Sequence, residues 1–125
     1  MNPNWLSEVE RRKEVKELNS TSPDQLPWRI PEIHSWVHGD SSANRTQPTI
    51  IFFHCEAGSD RTGEVAGSYA MHFLNQTFEE VYNWDAEVAG RKIEVWSENA
   101  LLYYCWFLTY ELGLTGLGCD KAAAV

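Results

Sequence analysis

Ten consecutive residues, His54-Cys55-Glu56-Ala57-Gly58-Ser59-Asp60-Arg61-Thr62-Gly63, carry the parts that phosphoryl transfer to a side chain requires. A phosphomonoester is a dianion. Its in-line displacement needs a nucleophile and fixed donors on three oxygens. A loop that ends a strand and opens a helix points backbone N–H groups inward, and the helix N-terminus favours negative charge. A thiol at the start of such a loop ionises more easily, into the ~3.5–7.5 pKa range. An arginine at its far end forks two N–H bonds onto phosphate oxygens. Cys55, Gly58 and Arg61 take these places in order. Thr62 follows to hydrogen-bond the sulfur, and Gly63 permits close packing where the helix begins.

The elements that position this loop are legible from pattern. Residues 49–54, TIIFFH, form a continuous β-branched and aromatic run, which predicts a central strand buried on both faces. The helix after the loop starts near Thr62, with Val65, Ala66, Tyr69, Ala70 and Phe73 on its buried face. Thr77 and Glu80 form a capping-box pattern for a helix over 78–89, closed by Gly90. Ser97 is placed to cap a further helix over 98–112, on which Leu101, Tyr104, Cys105, Leu108 and Leu112 make a 3.6-period stripe. Upstream, residues 5–18 read as a charged helix supported by the pairs Glu8/Arg12 and Lys13/Glu17. A short helix from Pro31 to His38 ends at Gly39, and residues 19–27 and 40–48 are loops. The pattern predicts an α/β domain in which a second strand must come from residues 13–19 or 91–96.

The loop resembles the signature of the protein tyrosine phosphatase superfamily, with its dual-specificity members: His-Cys, five residues, Arg, then Ser or Thr, with the internal and trailing glycines. The resemblance is strongest over residues 49–74. It implies an α/β fold with a central sheet flanked by helices, here minimal or truncated at the N-terminus, since only 22 residues precede Pro23-Asp24. It implies that Cys55 attacks phosphorus to form a phosphocysteine, that Arg61 binds phosphate and stabilises the transition state, and that Thr62 stabilises the thiolate. The backbone N–H groups from Glu56 through Ala57, Gly58, Ser59 and Asp60 to Arg61 would hold the phosphate, and His54 would support the loop through its ring. The family's general acid is an aspartate on a mobile loop upstream. Asp24, in Ser22-Pro23-Asp24, matches it with Ser in place of Trp. Asp60 and Asp40 are its rivals. Asp60 also fits the Asp-Arg-Thr order of myotubularin-like lipid phosphatases. Asn99 falls where similar enzymes position the hydrolytic water. No metal or other cofactor is needed.

Glu56 and Asp60 make the variable loop positions acidic, and no lysine stands among them. Extra phosphates would meet repulsion, so a phosphorylated protein is the expected substrate and a phosphoinositide the second candidate. Arg91 and Lys92 are the one basic pair downstream, read as solvated loop or as contacts for a second phosphate. Two further readings remain. One is a truncated, non-catalytic phosphate-binding module. The other is the low-molecular-weight phosphatase or arsenate reductase class, whose loop lies near the N-terminus and whose acid is a late Asp-Pro. Here Cys55 is mid-chain and Asp120 precedes Lys121.

Length and charge bound the rest. With 125 residues the chain makes one catalytic domain, and residues 113–125 read as a poorly ordered tail. A net charge of −8 excludes nucleic acid as partner and argues against stable membrane association. The N-terminus has no apolar signal-peptide core, so the expectation is a cytoplasmic protein. Three cysteines with irregular spacing give no disulfide framework, and Cys105 reads as core. His34 and His38, four apart with no third ligand, read as an exposed pair. Three Asn-x-Thr triplets, at Asn19, Asn44 and Asn75, carry no meaning in a cytoplasmic chain.

Overall fold

In the computed structural model, which describes residues 6–21, 25–39 and 49–119, five helices follow one another: α1 (Glu8–Thr21), α2 (Leu26–His38), α3 (Asp60–Phe73), α4 (Phe78–Ala89) and α5 (Val95–Tyr110). α5 is the centre. Leu101, Leu102, Tyr104, Cys105, Trp106, Phe107 and Leu108 are all buried on it, so its apolar surface runs around the helix. A helix apolar all round must be wrapped. α1 and α3 pack most extensively on it, and α2 and α4 complete the bundle.

Local chemistry sets the helix ends. Ser7 and Glu10 form a reciprocal box at the start of α1: Glu10 N–H donates to Ser7 Oγ at 3.2 Å, and Ser7 N–H donates to Glu10 Oε2 at 2.7 Å. The Glu8–Arg12 pair forms at 2.8 Å. α2 begins five residues before the predicted Pro31. Pro27 lies in its first turn, where no donor is needed, and Pro31 stands inside the helix with no N–H to donate to the preceding turn. Thr77 caps α4 by accepting from Glu80 N–H at 3.1 Å, and Gly90, at φ 75°, ends it. α5 starts at Val95, so Ser97 lies inside the first turn, buried.

The predicted central sheet is absent. Among the described residues none is in a strand, and the fold is all-helical. The run 49–54 has no regular secondary structure. Ile50 and Phe52 point outward at 91% and 85% exposure, while Ile51 is half-buried. β-branched and aromatic residues favour an extended backbone, but a sheet exists only when a second strand satisfies the ladder. Neither candidate supplies one: residues 13–19 belong to α1, and 91–96 run through a turn into α5. The minimal α/β phosphatase-like fold is therefore corrected to a helical bundle in which residues 49–54 form no regular structure.

The expected poorly ordered tail is corrected over residues 113–119, and residues 120–125 lie outside the described residues. Residues 113–119 fold back over α5, and Leu117 and Cys119 are buried. Phe78 N–H donates to the Leu117 carbonyl at 2.9 Å, and Trp106 Nε1–H donates to the Cys119 carbonyl at 2.6 Å. Cys105 and Cys119 are joined by a disulfide with Cα atoms 6.3 Å apart. Sequence spacing did not reveal this bridge, because its 14-residue separation matches no framework and its geometry depends on the tail turning back.

Candidate active site

The loop 55–59 connects the run 49–54 to α3. Gly58 sits at φ 69°, a left-handed conformation in which a side chain is strained. That turn brings the chain from Cys55 into the first residues of α3. Gly63 N–H donates to the Ser59 carbonyl at 2.9 Å, so the helix grows directly out of the loop.

Thr62 ties the two ends of the loop together. Its hydroxyl donates to Cys55 Sγ at 3.1 Å, and its oxygen accepts the Cys55 N–H at 3.0 Å. The thiol is correspondingly acidic, lowered from 9.0 to about 6. The Thr62 hydroxyl is the largest cause, followed by its backbone N–H, with smaller contributions from the backbone of Gly58 and Ser59. Cys55 is the free cysteine among the described residues and is partly exposed. His54 Nδ1–H donates to the Cys55 carbonyl at 3.2 Å. A cavity of about 330 Å³ opens onto Cys55, Arg61 and Thr62, with Trp36 and Ile33 of α2 and Phe53 as its apolar walls. Its size suits a small ligand. Cys55 and Arg61 thus line one cavity.

Asp60 is turned away from acid chemistry. Arg91 Nη1 and Nη2 hold its two carboxylate oxygens at 3.0 and 2.9 Å, and Glu94 N–H donates to Oδ1 at 2.8 Å. The Arg91 hydrogen bonds, then the Glu94 N–H, lower its carboxyl to about 2. An aspartate ionised above that pH has no proton to give at neutrality. Asp60 instead ties the first residue of α3 to the turn before α5. Arg91 also donates to the Lys92 carbonyl at 2.9 Å, so it is a structural clamp. Lys92 is exposed. Asp24 and Asp40 lie outside the described residues. Asn99 stands half-buried near the start of α5.

Two features escape the sequence. Asp85, on α4, is 4% exposed and presses against the first turn of α3. A Cβ on Gly63 would lie 2.9 Å from Asp85 Oδ2, which explains the glycine after Arg61-Thr62. Burial raises the Asp85 carboxyl to about 7, and its Oδ2 has no hydrogen-bond partner among the described residues. Nothing in the sequence around Asp85 signals burial. The deepest face of α3 is also shifted: Gly63, Gly67, Ser68 and Met71 are buried, while Val65, Ala66, Tyr69, Ala70 and Phe73 are half-buried. Val65, Ala66, Tyr69 and Ala70 border an apolar groove of about 650 Å³ that runs along Ile50 and Ile51. His34 stacks on Phe73 with centroids 3.8 Å apart and lies 4.2 Å from the His38 ring.

Compared with protein-family models, curated proteins and solved structures, the chain matches none.

Proposed function

We propose that this chain is a cysteine-dependent phosphatase that hydrolyses phosphomonoesters through a phosphocysteine intermediate. The observation that carries the reading is the acidified Cys55 thiol, hydrogen-bonded by Thr62 and facing the same cavity as Arg61. A sulfur at about 6 is mostly thiolate at neutral pH, and core cysteines are not. In the reaction, Cys55 Sγ forms a bond to phosphorus as the ester P–O bond breaks. Arg61 and the loop N–H groups carry the charge of the transferring group. Asp24 is the proposed acid that protonates the leaving oxygen and then, as base, activates the water that releases phosphate. The Thr62 hydroxyl stabilises the sulfur anion as it leaves.

Glu56 keeps the loop rim acidic and no lysine offsets it, which favours a single phosphate on a protein over a phosphoinositide. Asp60 contributes less to this preference than its formal charge suggests, because Arg91 neutralises it.

A second reading has its own observation. The run before Cys55 is in no strand and is exposed at Ile50 and Phe52, so among the described residues no sheet holds the loop to the tolerance catalysis needs. On that reading the chain binds phosphate without turning it over. Turnover of a small aryl phosphate by the wild type, Cys55→Ser and Asp24→Ala separates the two. Loss of turnover in Cys55→Ser supports the phosphatase; an inert wild type that binds vanadate supports the binding module. Activity surviving Cys55→Ser overturns the mechanism.

A further inference from the structure

The disulfide and one of the Asn-x-Thr triplets point to the same cellular compartment. Cys105 and Cys119 are both buried and bonded, and the bridge pins residues 113–119 against the central helix. Buried structural disulfides persist where the surroundings are oxidising, as in the lumen of the secretory pathway and outside the cell, and are rare among cytosolic proteins. The bridge also accounts for the odd cysteine count: two residues take each other and Cys55 stays a thiol.

Asn75-Gln76-Thr77 lies in the turn between α3 and α4. Asn75 is exposed, and its φ of 57° swings the chain away from the end of α3. Asn-x-Thr is the acceptor pattern for N-linked glycosylation, a reaction of the secretory lumen that places the sugar on a surface turn. The turn is firmly built: Gln76 N–H donates to the Ala70 carbonyl at 3.3 Å, and Thr77 caps α4. Leu74 and Gln76 line the rim of the apolar groove, so the asparagine side chain stands beside it and not within the bundle.

We propose that this chain is a secretory-pathway protein whose Asn75 carries an N-linked glycan. In the transfer, Asn75 Nδ2 forms a bond to the first sugar carbon of a lipid-linked oligosaccharide diphosphate, the sugar–diphosphate bond breaks, and the amide loses a proton. In the bridge, the Cys105 and Cys119 thiols pass two electrons and two protons to a disulfide-carrying oxidoreductase. The cytoplasmic expectation rested on composition and the N-terminal residues; these two features outweigh it. The inference stands whether or not Cys55 turns over phosphate.

The test is a peptide map of the full chain directed into the secretory pathway of a eukaryotic cell. After treatment with a glycan-cleaving amidase, residue 75 is expected as aspartate, and the wild type is expected to lose one more glycan than Asn75→Asp. That variant keeps a residue tolerant of positive φ, so the turn survives. Without reductant, the Cys105 and Cys119 peptides are expected to be linked. Unmodified Asn75 in the lumenal protein, or free alkylation of both cysteines without reductant, overturns the proposal.

Discussion

The Thr62 hydroxyl donates to the Cys55 sulfur at 3.1 Å while its oxygen accepts the Cys55 backbone N–H at 3.0 Å. One side chain therefore both orients the nucleophile and acidifies it. On the phosphatase reading, kcat/KM rises with pH through an acidic limb near 6, as the thiol loses its proton. Thr62→Val keeps the shape and removes the donor, so the limb moves up toward the ordinary thiol value of about 8.5. At pH 7 this costs at most roughly thirty-fold in kcat/KM, because the backbone N–H groups of Thr62, Gly58 and Ser59 still stabilise the sulfur. A pH–rate profile of both proteins checks it; an unmoved limb would assign the acidity to something other than Thr62.

Asp60 and Arg91 test the clamp against the acid role. Asp60→Asn is expected to lower activity several-fold while leaving the basic limb of the profile in place, because the acid is elsewhere. Arg91→Ala should act alike, since each variant breaks the same pair. If Asp60→Asn abolishes the basic limb and Arg91→Ala does not, Asp60 is the acid.

Asp85 predicts a pH-dependent stability. Its folded-state carboxyl, at about 7, lies above the unfolded value of 3.8, so the folded form holds the proton more tightly. The stabilisation is full below about 3.8 and falls as pH rises to about 7, then stays level. Asp85→Asn removes that slope and raises stability at pH 8 by about 2–4 kcal/mol relative to wild type. Urea unfolding at pH 5 and pH 8 measures it. A wild-type slope that persists in Asp85→Asn assigns the effect to another group.

Gly63 and Asp85 share one contact. Gly63→Ala gains about 1 kcal/mol of helix propensity but drives a Cβ to 2.9 Å from the buried Asp85 Oδ2. Overpacking costs typically 1–3 kcal/mol, so the expected net effect is a destabilisation of about 1 kcal/mol. In an Asp85→Ala background the clash is gone and the same change becomes stabilising. A double-mutant cycle by urea unfolding reads the coupling, and additive effects would place the crowding elsewhere.

Reduction of the bridge is expected to cost about 3 kcal/mol, the amount appropriate to a loop of this length. Cys119→Ser should reproduce that loss, with the urea midpoint becoming insensitive to reductant. A wild-type midpoint unchanged by reductant would mean that the tail contributes little to the fold.

The helices were largely readable because their signals are local. The Thr77 cap, Gly90 and the Leu101-Tyr104-Cys105-Leu108 stripe act within a few residues of themselves. The loop was readable for the same reason: Cys55, Gly58, Arg61 and Thr62 meet within one turn of chain, and no distant partner is needed to bring them together. The run TIIFFH carried equally strong local information, for a buried strand, and among the described residues it forms none. A sheet is a property of two segments, and the second one is not among the described residues.

The sequence alone, then, determined most of the helical segments and the residue content of the Cys55 loop, since each is written in contiguous residues. Tertiary structure decided what lies across from them. It set Arg91 against Asp60, 31 residues apart in sequence, as a clamp between α3 and the turn before α5. It buried Asp85 against Gly63, and it folded 113–119 back so that Cys119 meets Cys105. Each of these rests on which faces the packed helices turn toward one another, and that choice is made by the whole bundle burying α5.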